Sequence, residues 1–185
     1  MKVKVTPSKV HGNVKIPASK SMAHRALICA SLSDGTSIVS NVTNSKDIEA
    51  TVGCMKALGA KIKQIDETTY EVTGTNLFKQ EGNITCNANE SGSTLRFLIP
   101  LAACTNAKVK FLGQGRLLQR PMDVYENEFK EQNIEFNQSD KEIIVHGNLQ
   151  AKDYVVQGDI SSQFITGFMF VLPLLNQDST LTITK

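Results

Sequence analysis

The sequence predicts a protein of the α/β or α+β class, built from repeated units of about seventy residues. Short strand-like stretches alternate with helical ones along the whole chain. A serine-rich turn opens an apolar helix three times, and its serines Ser21, Ser93 and Ser162 are 72 and 69 residues apart. We therefore expect β-α-β-α-β-β units whose first, apolar helices pack together in a shared core.

The first unit is predicted to cover residues 13–80, and residues 1–12 are assigned to a strand that belongs to or leads from another domain. Residues 2–6 and 12–17 alternate charged and apolar side chains, which is typical of strands. Ser19 or Ser21 can cap the helix that follows. The remaining elements of this unit are a first helix to residue 32, a strand at 36–42, a helix at 44–59, and strands at 61–66 and 70–73.

The second unit, residues 81–150, repeats the same order of elements. Pro100 lies inside its first helix, where it removes the hydrogen bond to the carbonyl of Arg96 and should kink the chain. The predicted elements are strands at 83–87 and 107–112, helices at 91–104 and 121–132, and strands at 134–137 and 142–146.

The third unit, residues 151–185, begins in the same way, with a strand at 154–157, an apolar helix at 161–175 and a strand at 179–184. The first two units continue from this point into an amphipathic helix and two strands. By the length of the repeat, about forty residues are missing. We expect the chain to be a fragment, in which residues 13–185 form an incomplete N-terminal substrate-binding domain.

Composition excludes several classes of function. Twenty Lys and Arg residues balance eighteen Asp and Glu residues without a basic cluster, so no nucleic-acid partner is expected. The four cysteines form no CxxC pair, which argues against a metal site or a redox cofactor. No stretch reaches the ~18–20 apolar residues that a membrane span requires. Cytoplasmic residence without a membrane partner is the resulting expectation.

Cations lie close to the serine-rich turns, and helix starts present unpaired N–H groups that suit an anion. This pattern favours an anionic small molecule, although each residue also has a structural interpretation. The serines can be simple caps, Arg96 can form a structural ion pair, and His24 can be an exposed or hydrogen-bonded structural histidine. The cations concerned are Lys20, Arg25, Arg96, Arg116 and Arg120.

Four segments carry a family resemblance, and in order they are PASKSMAHRALICASL, ESGSTLRFLIPLAA, GRLLQRPM and GDISSQFITGFMF. Their order and spacing closely resemble the N-terminal half of the 5-enolpyruvylshikimate-3-phosphate synthases (3-phosphoshikimate 1-carboxyvinyltransferases). The UDP-N-acetylglucosamine enolpyruvyl transferases are similar in fold, but they carry a Lys-Asn pair where this chain has Lys20-Ser21. They are the weaker match.

The resemblance implies an inside-out α/β barrel fold in a two-domain, monomeric enzyme of the shikimate pathway. Such an enzyme transfers the enolpyruvyl group of phosphoenolpyruvate to the 5-hydroxyl of shikimate 3-phosphate, without a metal or cofactor. Lys20 is the catalytic residue by resemblance, and the acid and base groups lie in the absent C-terminal half. The implied substrate-binding residues are Lys20, Ser21, Arg25, Gly92, Arg120, Ser161, Ser162 and Gln163.

Two positions refine this expectation. Gly92 lets the backbone approach phosphoenolpyruvate closely, and a small residue there implies sensitivity to glyphosate by resemblance. Glu90 stands where the family more often has Asn, so its carboxylate should be repelled by a bound phosphate unless Arg96 or Lys20 neutralises it. The fragment alone is expected to be inactive and to self-associate. The alternative function is a stand-alone, non-catalytic module that binds a phosphometabolite.

Overall fold

The computed structural model describes residues 2–9 and 11–184, which form five α-helices and nine strands. Met1, Val10 and Lys185 belong to the predicted ranges 1–12 and 151–185 and lie outside the described residues. In chain order the elements are α1 (Lys20–Leu32), β1 (Thr36–Val39), α2 (Lys46–Ala57), β2 (Lys61–Gln64), β3 (Tyr70–Thr73), β4 (Glu81–Asn87), α3 (Gly92–Ala102), β5 (Asn106–Leu112), α4 (Asp123–Glu131), β6 (Glu135–Gln138), β7 (Ile143–His146), β8 (Asp153–Gln157), α5 (Ser162–Val171) and β9 (Thr180–Thr184).

Sheet pairing confirms the repeat. In the second unit the strand order is β4-β5-β7-β6, with β4 parallel to β5 and the other pairs antiparallel. The first unit has the order β1-β3-β2, which reproduces the antiparallel part of that sheet. The third unit contains the parallel pair β8 and β9, which reproduces its parallel part. Strands β1, β5 and β9 therefore occupy equivalent positions.

The strands predicted at residues 2–6 and 12–17 are wrong, because no strand is assigned there within residues 2–9 and 11–17. Their apolar side chains are exposed, Val5 at 84% and Val14 at 85%. A segment that alternates charged and apolar residues forms a strand only when its backbone N–H and C=O groups can pair with a neighbouring strand. The described residues provide none for this segment. The assignment of residues 1–12 to another domain remains a prediction.

The serine caps correct the register of the repeat. Ser19, Ser91 and Ser161 are the N-caps of α1, α3 and α5, so equivalent residues are 72 and 70 apart. In this register Ser162 corresponds to Lys20 and Gly92 rather than to Ser21 and Ser93. The spacing of Ser21, Ser93 and Ser162 in the sequence pairs serine with serine, whereas the structure pairs the capping residues.

Helices α1, α3 and α5 carry the core, and the sheets pack around them. Helix α3 is the most buried, with Leu95, Phe97 and Leu98 at 1% exposure or less. Helix α5 is shorter than predicted, because it passes into a 3₁₀ turn at Leu172–Leu174 that contains Pro173. No helix within the described residues is both long enough and apolar enough to cross a membrane.

Pro100 does not end α3, which runs on to Ala102. The proline leaves the Arg96 carbonyl without its helical donor, and the hydroxyl of Tyr125 on α4 donates to that carbonyl at 2.6 Å. Gly167 on α5 makes room for this contact, since a Cβ there would lie 2.1 Å from the Tyr125 oxygen. The bare backbone of Gly167 thus allows α3, α4 and α5 to meet.

Candidate functional site

Serine side chains begin all three core helices. Ser19 Oγ accepts from Met22 N at 3.3 Å, Ser91 Oγ from Thr94 N at 3.2 Å, and Ser161 Oγ from Gln163 N at 3.3 Å. Each cap satisfies one of the four N–H groups that a helix start leaves without a partner in its own helix. The remaining N–H groups and the positive end of each helix dipole suit an anion.

Gln163 joins the second and third turns. Its Oε1 accepts from Arg96 Nη1 at 2.8 Å, and its Nε2 donates to Ser93 Oγ at 2.9 Å. The Arg96 guanidinium also lies over the Phe164 ring, 5.2 Å from the ring centre. The starts of α3 and α5 are therefore held side by side through one amide.

Arg25 joins the first and third turns. It donates to the carbonyl of Ser21 at 2.9 Å and to Thr166 Oγ1 on α5 at 3.2 Å. Its guanidinium lies 5.2 Å from the centre of the Phe97 ring on α3. These contacts fix the direction of the side chain, because the planar guanidinium bonds in two directions at once.

Lys20 and Asp47 form an ion pair between α1 and α2, with Nζ 2.8 Å from Oδ2. The two side chains are 55% and 34% exposed, so water screens their attraction. Such a pair contributes little stability, but it sets the position of the Lys20 ammonium beside the start of α2. The sequence did not indicate the pairing of Asp47 with Lys20.

Gly92 lies between two guanidinium groups. A Cβ at this residue would stand 2.4 Å from Arg120 Nη1 and 3.4 Å from Arg96 Nη1, so only glycine leaves their present positions open. Burial, and secondly the charge of Arg120, lower the pKa of Arg96 from its usual value. The two cations are therefore close enough to repel each other.

These cations lack a compensating charge. Within residues 2–9 and 11–184, no carboxylate lies within 4 Å of Arg25, Arg96 or Arg120. The Nε of Arg96 is also buried without a hydrogen-bond partner. Like charges held together without a counter-ion form a site that an incoming anion stabilises. The structural ion pair considered for Arg96 is thus not formed.

Glu90 is paired with neither Arg96 nor Lys20. Its Oε1 lies instead near Gly115, 3.0 Å from the position of an added Cβ. Gly115 has φ +60°, a left-handed backbone that glycine adopts without strain. The Glu90 side chain therefore contacts the loop after β5, and the neutralisation considered from the sequence does not occur.

His24 is buried, and its Nδ1 lies 2.7 Å from Thr51 Oγ1. Burial lowers the pKa of His24 to about 4, the charges of Lys20 and Arg25 act in the same direction, and Asp47 opposes them. The ring is consequently neutral near pH 7. The expectation of a hydrogen-bonded structural histidine agrees with this placement.

The family model described as EPSP synthase (3-phosphoshikimate 1-carboxyvinyltransferase) matches residues 4–185. The chain belongs to the EPSP synthase family. A 3-phosphoshikimate 1-carboxyvinyltransferase from Clostridium perfringens (strain SM101 / Type A) is 48% identical over 185 residues, which are 99% of this chain and 43% of that protein. One from Clostridioides difficile (strain 630) is 45% identical and covers 98% of this chain and 44% of its own length.

A solved EPSP synthase from Acinetobacter baumannii superimposes with a TM-score of 0.79 at 17% identity, over 94% of this chain and 40% of that one. This likeness confirms the enolpyruvyl transferase-like α/β fold. The chain thus spans a little under half the length of the EPSP synthases that it matches in sequence.

The residues predicted for substrate binding fall on the same three turns and the loop after β5. Gln163 and Arg25 bridge turns directly, and Arg120 reaches Gly92. Ser161 acts as a cap, while Ser162 stays exposed in the same turn. Ser93 and Thr166, which hold Gln163 and Arg25, were not proposed from the sequence. Their only signal is their place within the first two helical turns after a capping serine.

Proposed function

We propose that this chain supplies the substrate-binding turns of a 3-phosphoshikimate 1-carboxyvinyltransferase. In this reaction the enolpyruvyl group of phosphoenolpyruvate moves to the 5-hydroxyl of shikimate 3-phosphate, and inorganic phosphate is released. The proposal is carried by one observation. Three helix starts are joined through Gln163 and Arg25, and the guanidinium groups of Arg96 and Arg120 meet beside Gly92 without a carboxylate within 4 Å among the described residues, in a chain of the EPSP synthase family.

Both substrates are polyanions, so bringing them together costs Coulomb repulsion that fixed cations must offset. The surplus of positive charge at the three turns provides this compensation. The helix starts add N–H donors that already point in the required direction. Since these groups are positioned before substrate arrives, little reorganisation is needed during the reaction.

Shikimate 3-phosphate is assigned to the first and third turns. Lys20, Ser21 and Arg25 provide two cations and a hydroxyl on α1. Ser161, Ser162 and Gln163 provide polar groups at the start of α5. Arg25 already bonds to Thr166, which places it between the two turns. The 3-phosphate and the ring hydroxyls of one ligand can then contact both helices.

Phosphoenolpyruvate is assigned to Gly92, Arg120, Gln163 and Lys20. The two guanidinium groups beside Gly92 suit a carboxylate or phosphate, each of which can accept two parallel hydrogen bonds from an arginine. The missing Cβ of Gly92 leaves space for that contact. A larger residue at this position would displace Arg120, which is consistent with the glyphosate sensitivity that the family resemblance implies.

The reaction proceeds by addition and elimination. The 5-hydroxyl oxygen forms a bond to C2 of phosphoenolpyruvate while its proton leaves and C3 gains a proton. The C2–O bond to phosphate then breaks, and C3 loses a proton to restore the double bond. Lys20 is the catalytic residue proposed from this chain, since its ammonium can stabilise the negative charge of the departing phosphate. The other acid and base groups are assigned to the remainder of the enzyme.

The test uses the complete gene product that carries these residues. Incubation with shikimate 3-phosphate and phosphoenolpyruvate should release inorganic phosphate, at a rate within the ordinary ~1–10³ per second of enzymes. Lys20→Gln should lower kcat/KM by about 100-fold or more, as expected for loss of a positioned charge. Lys63→Gln on β2 is the matched control and should behave as wild type. Absence of phosphate release by the wild type would reject the proposal.

A second candidate is a stand-alone module that binds a phosphometabolite without turnover. It is favoured by the fact that the uncompensated cations all lie on this chain. Titration calorimetry with shikimate 3-phosphate should separate the candidates. Binding with a full-length product of 185 residues and no phosphate release would support the module, whereas turnover by the complete gene product would exclude it.

We further propose that the complete enzyme is a monomer and that the 185-residue chain is inactive alone and self-associates. Large apolar side chains on the third unit are exposed, including Met169 at 64%, Val155 at 60% and Ile183 at 54%. Exposed apolar side chains of this size favour association in water. Light scattering should give a mass above 20.2 kDa for the chain alone, and a monodisperse monomer would contradict the expectation.

A further inference from the structure

Four buried polar side chains form a continuous hydrogen-bonded network between α1, α2 and α3. His24 Nδ1 lies 2.7 Å from Thr51 Oγ1, and Thr51 Oγ1 lies 2.7 Å from Thr94 Oγ1. Thr94 Oγ1 in turn lies 2.7 Å from Ser91 Oγ. All four residues are at most 3% exposed. They are too deeply buried to contact a substrate, and the proposed reaction does not use them.

The network ends at the two turns that carry the proposed phosphoenolpyruvate residues. On one side Thr94 Oγ1 donates to the backbone carbonyl of Asp47 at 3.3 Å, and the Asp47 carboxylate holds Lys20. On the other side Ser91 caps α3 immediately before Gly92. A path of hydrogen bonds therefore connects the partner of Lys20 with the backbone of Gly92.

Thr94 is the junction of this path, because its hydroxyl contacts both Asp47 and Ser91. Thr51, on α2, supports that junction from the side of His24. Its hydroxyl is the only link between the His24 ring and Thr94 among the described residues, and its side chain is fully buried. Hydrogen bonds fix distance and direction, whereas apolar contacts allow helices to slide by fractions of an ångström. A hydroxyl here therefore sets how the start of α2 lies against the start of α3.

The neutral state of His24 supports this arrangement. Burial holds the imidazole uncharged near pH 7, so Nδ1 can share a hydrogen bond with a hydroxyl without placing a charge in the core. The ring also packs edge-on to Phe97, with ring centres 6.3 Å apart. His24 thereby attaches the network to α1, and the Thr51 hydroxyl connects His24 with Thr94 on α3.

We propose that Thr51 is a positioning residue that aligns Lys20 with Gly92 for the binding of phosphoenolpyruvate. This inference rests on the proposed function, because it assigns that ligand to Lys20 and Gly92. Shikimate 3-phosphate shares Lys20, but it also depends on Arg25 and on the start of α5, and the hydrogen bonds of the network reach neither. Loss of the Thr51 hydroxyl should thus affect the two substrates unequally.

The experiment compares Thr51→Val, which removes the hydroxyl at nearly constant shape, with Thr51→Ser, which keeps it. Steady-state kinetics of the complete gene product give kcat and the KM of each substrate. Thr51→Val should raise the KM of phosphoenolpyruvate by about tenfold, since small displacements of a positioned group are costly. The KM of shikimate 3-phosphate should change by less than about threefold, and Thr51→Ser should restore wild-type values.

Thr105→Val is the matched control. Thr105 is a buried threonine at the opposite end of α3, and its hydroxyl donates to the carbonyl of Ala102 at 2.8 Å. This variant should lower the melting temperature while leaving both KM values unchanged. If Thr51→Val does not fold, Thr51→Ala removes the same hydroxyl without adding a branched methyl group and is expected to show the same inequality.

The outcomes separate the two proposals. A wild-type protein without phosphate release would reject the proposed function and this inference with it. An active wild type whose Thr51→Val variant keeps the wild-type KM for phosphoenolpyruvate would reject the inference alone. Equal increases in both KM values, or the same increase in Thr105→Val, would also overturn it, because they would indicate a general loss of packing.

Discussion

The two ends of the α3–α5 contact are built on opposite principles. At the helix starts, Arg96, Gln163 and Ser93 form hydrogen bonds beside an excess of positive charge that nothing in the described chain balances. Less than two turns further on, Tyr125 and Gly167 close the same pair of helices with every polar group satisfied and no space left. One end is incomplete without a ligand, and the other is complete without one.

This difference predicts two separable kinds of mutational effect. Changes at the closed end should lower the free energy of unfolding, and changes at the open end should lower affinity for anions. His24 lies between them, since it is buried like the closed end and belongs to the network that leads to the open end. Each of the following experiments can show that stability and anion affinity are not separated in this way.

Gly167→Ala should have the largest effect on stability. The new Cβ would lie 2.1 Å from Tyr125 Oη and 2.8 Å from the Arg96 carbonyl oxygen, so the helices must separate. We expect a loss of about 3 kcal/mol or more in the free energy of unfolding, measured by urea titration. The control is Gly53→Ala on α2, where no atom lies within 4 Å and a stability gain of roughly 0.5–1 kcal/mol is expected. Equal effects would contradict the close packing.

Acid should destabilise the protein through His24. Its folded pKa of about 4 lies below the usual 6.5, so the unfolded chain binds more protons in this interval. The contribution of His24 to the free energy of unfolding is complete above pH 6.5. It falls by up to about 3 kcal/mol as the pH drops toward 4.

The measurement is the free energy of unfolding as a function of pH, compared between wild type and His24→Gln. Between pH 4 and 6.5, the free energy of unfolding of the variant should change less with pH than that of the wild type, because the contribution of His24 is absent. His11→Gln, at an exposed turn, is the control and should retain the wild-type slope. A slope unchanged in His24→Gln would show that the buried ring does not titrate as described.

Arg120→Ala should separate affinity from stability at the open end. Loss of a charge-assisted contact of about 1.5–3 kcal/mol predicts roughly 10- to 150-fold weaker binding of phosphoenolpyruvate by the complete gene product. Without ligand, the variant should be as stable as wild type or more so, because a charge that repels Arg96 is removed. Titration calorimetry measures the expected loss of affinity, and thermal unfolding measures the expected unchanged or higher stability. A large loss of stability would contradict the division between a ligand-binding end and a closed end.

Tyr125→Phe should have the smallest of these effects. It leaves the Arg96 carbonyl without a donor at a buried position, for which we expect a loss of about 1–2 kcal/mol. Pro100→Ala supplies a backbone N–H to the same carbonyl. The Tyr125→Phe substitution should therefore cost less in a Pro100→Ala background, and a double-mutant cycle without coupling would argue against this exchange of donors.

The sequence predicted most of the fold because its repeat is expressed locally. The capping serines and the apolar spacing of the helices are short-range signals, and the predicted helices agree with the structure to within a few residues. Residues 2–6 and 12–17 show the limit of such signals. Their alternation satisfies the pattern of a strand, but pairing depends on an edge elsewhere that the pattern cannot reveal.

The site was predictable in its residue types and less so in its contacts. Lys20, Arg25 and Arg120 stand out because cations near helix starts suit anions. The partnership of Arg96 with Gln163 joins residues 67 positions apart, and the pairing of Lys20 with Asp47 joins residues 27 apart. Only tertiary packing sets such pairs. For the same reason, the sequence did not show that the Tyr125 hydroxyl replaces the N–H that Pro100 lacks.

The three-way meeting of Pro100, Tyr125 and Gly167 also limits which sequences can inherit this fold. A lineage that replaces Pro100 regains a backbone donor and is then free to lose the hydroxyl at position 125. A side chain can enter at position 167 only after that hydroxyl has gone and α3 and α5 have moved apart, because its Cβ would also lie 2.8 Å from the Arg96 carbonyl oxygen. Substitutions at these positions are therefore expected to arise in a fixed order among relatives, with glycine the last of the three to change.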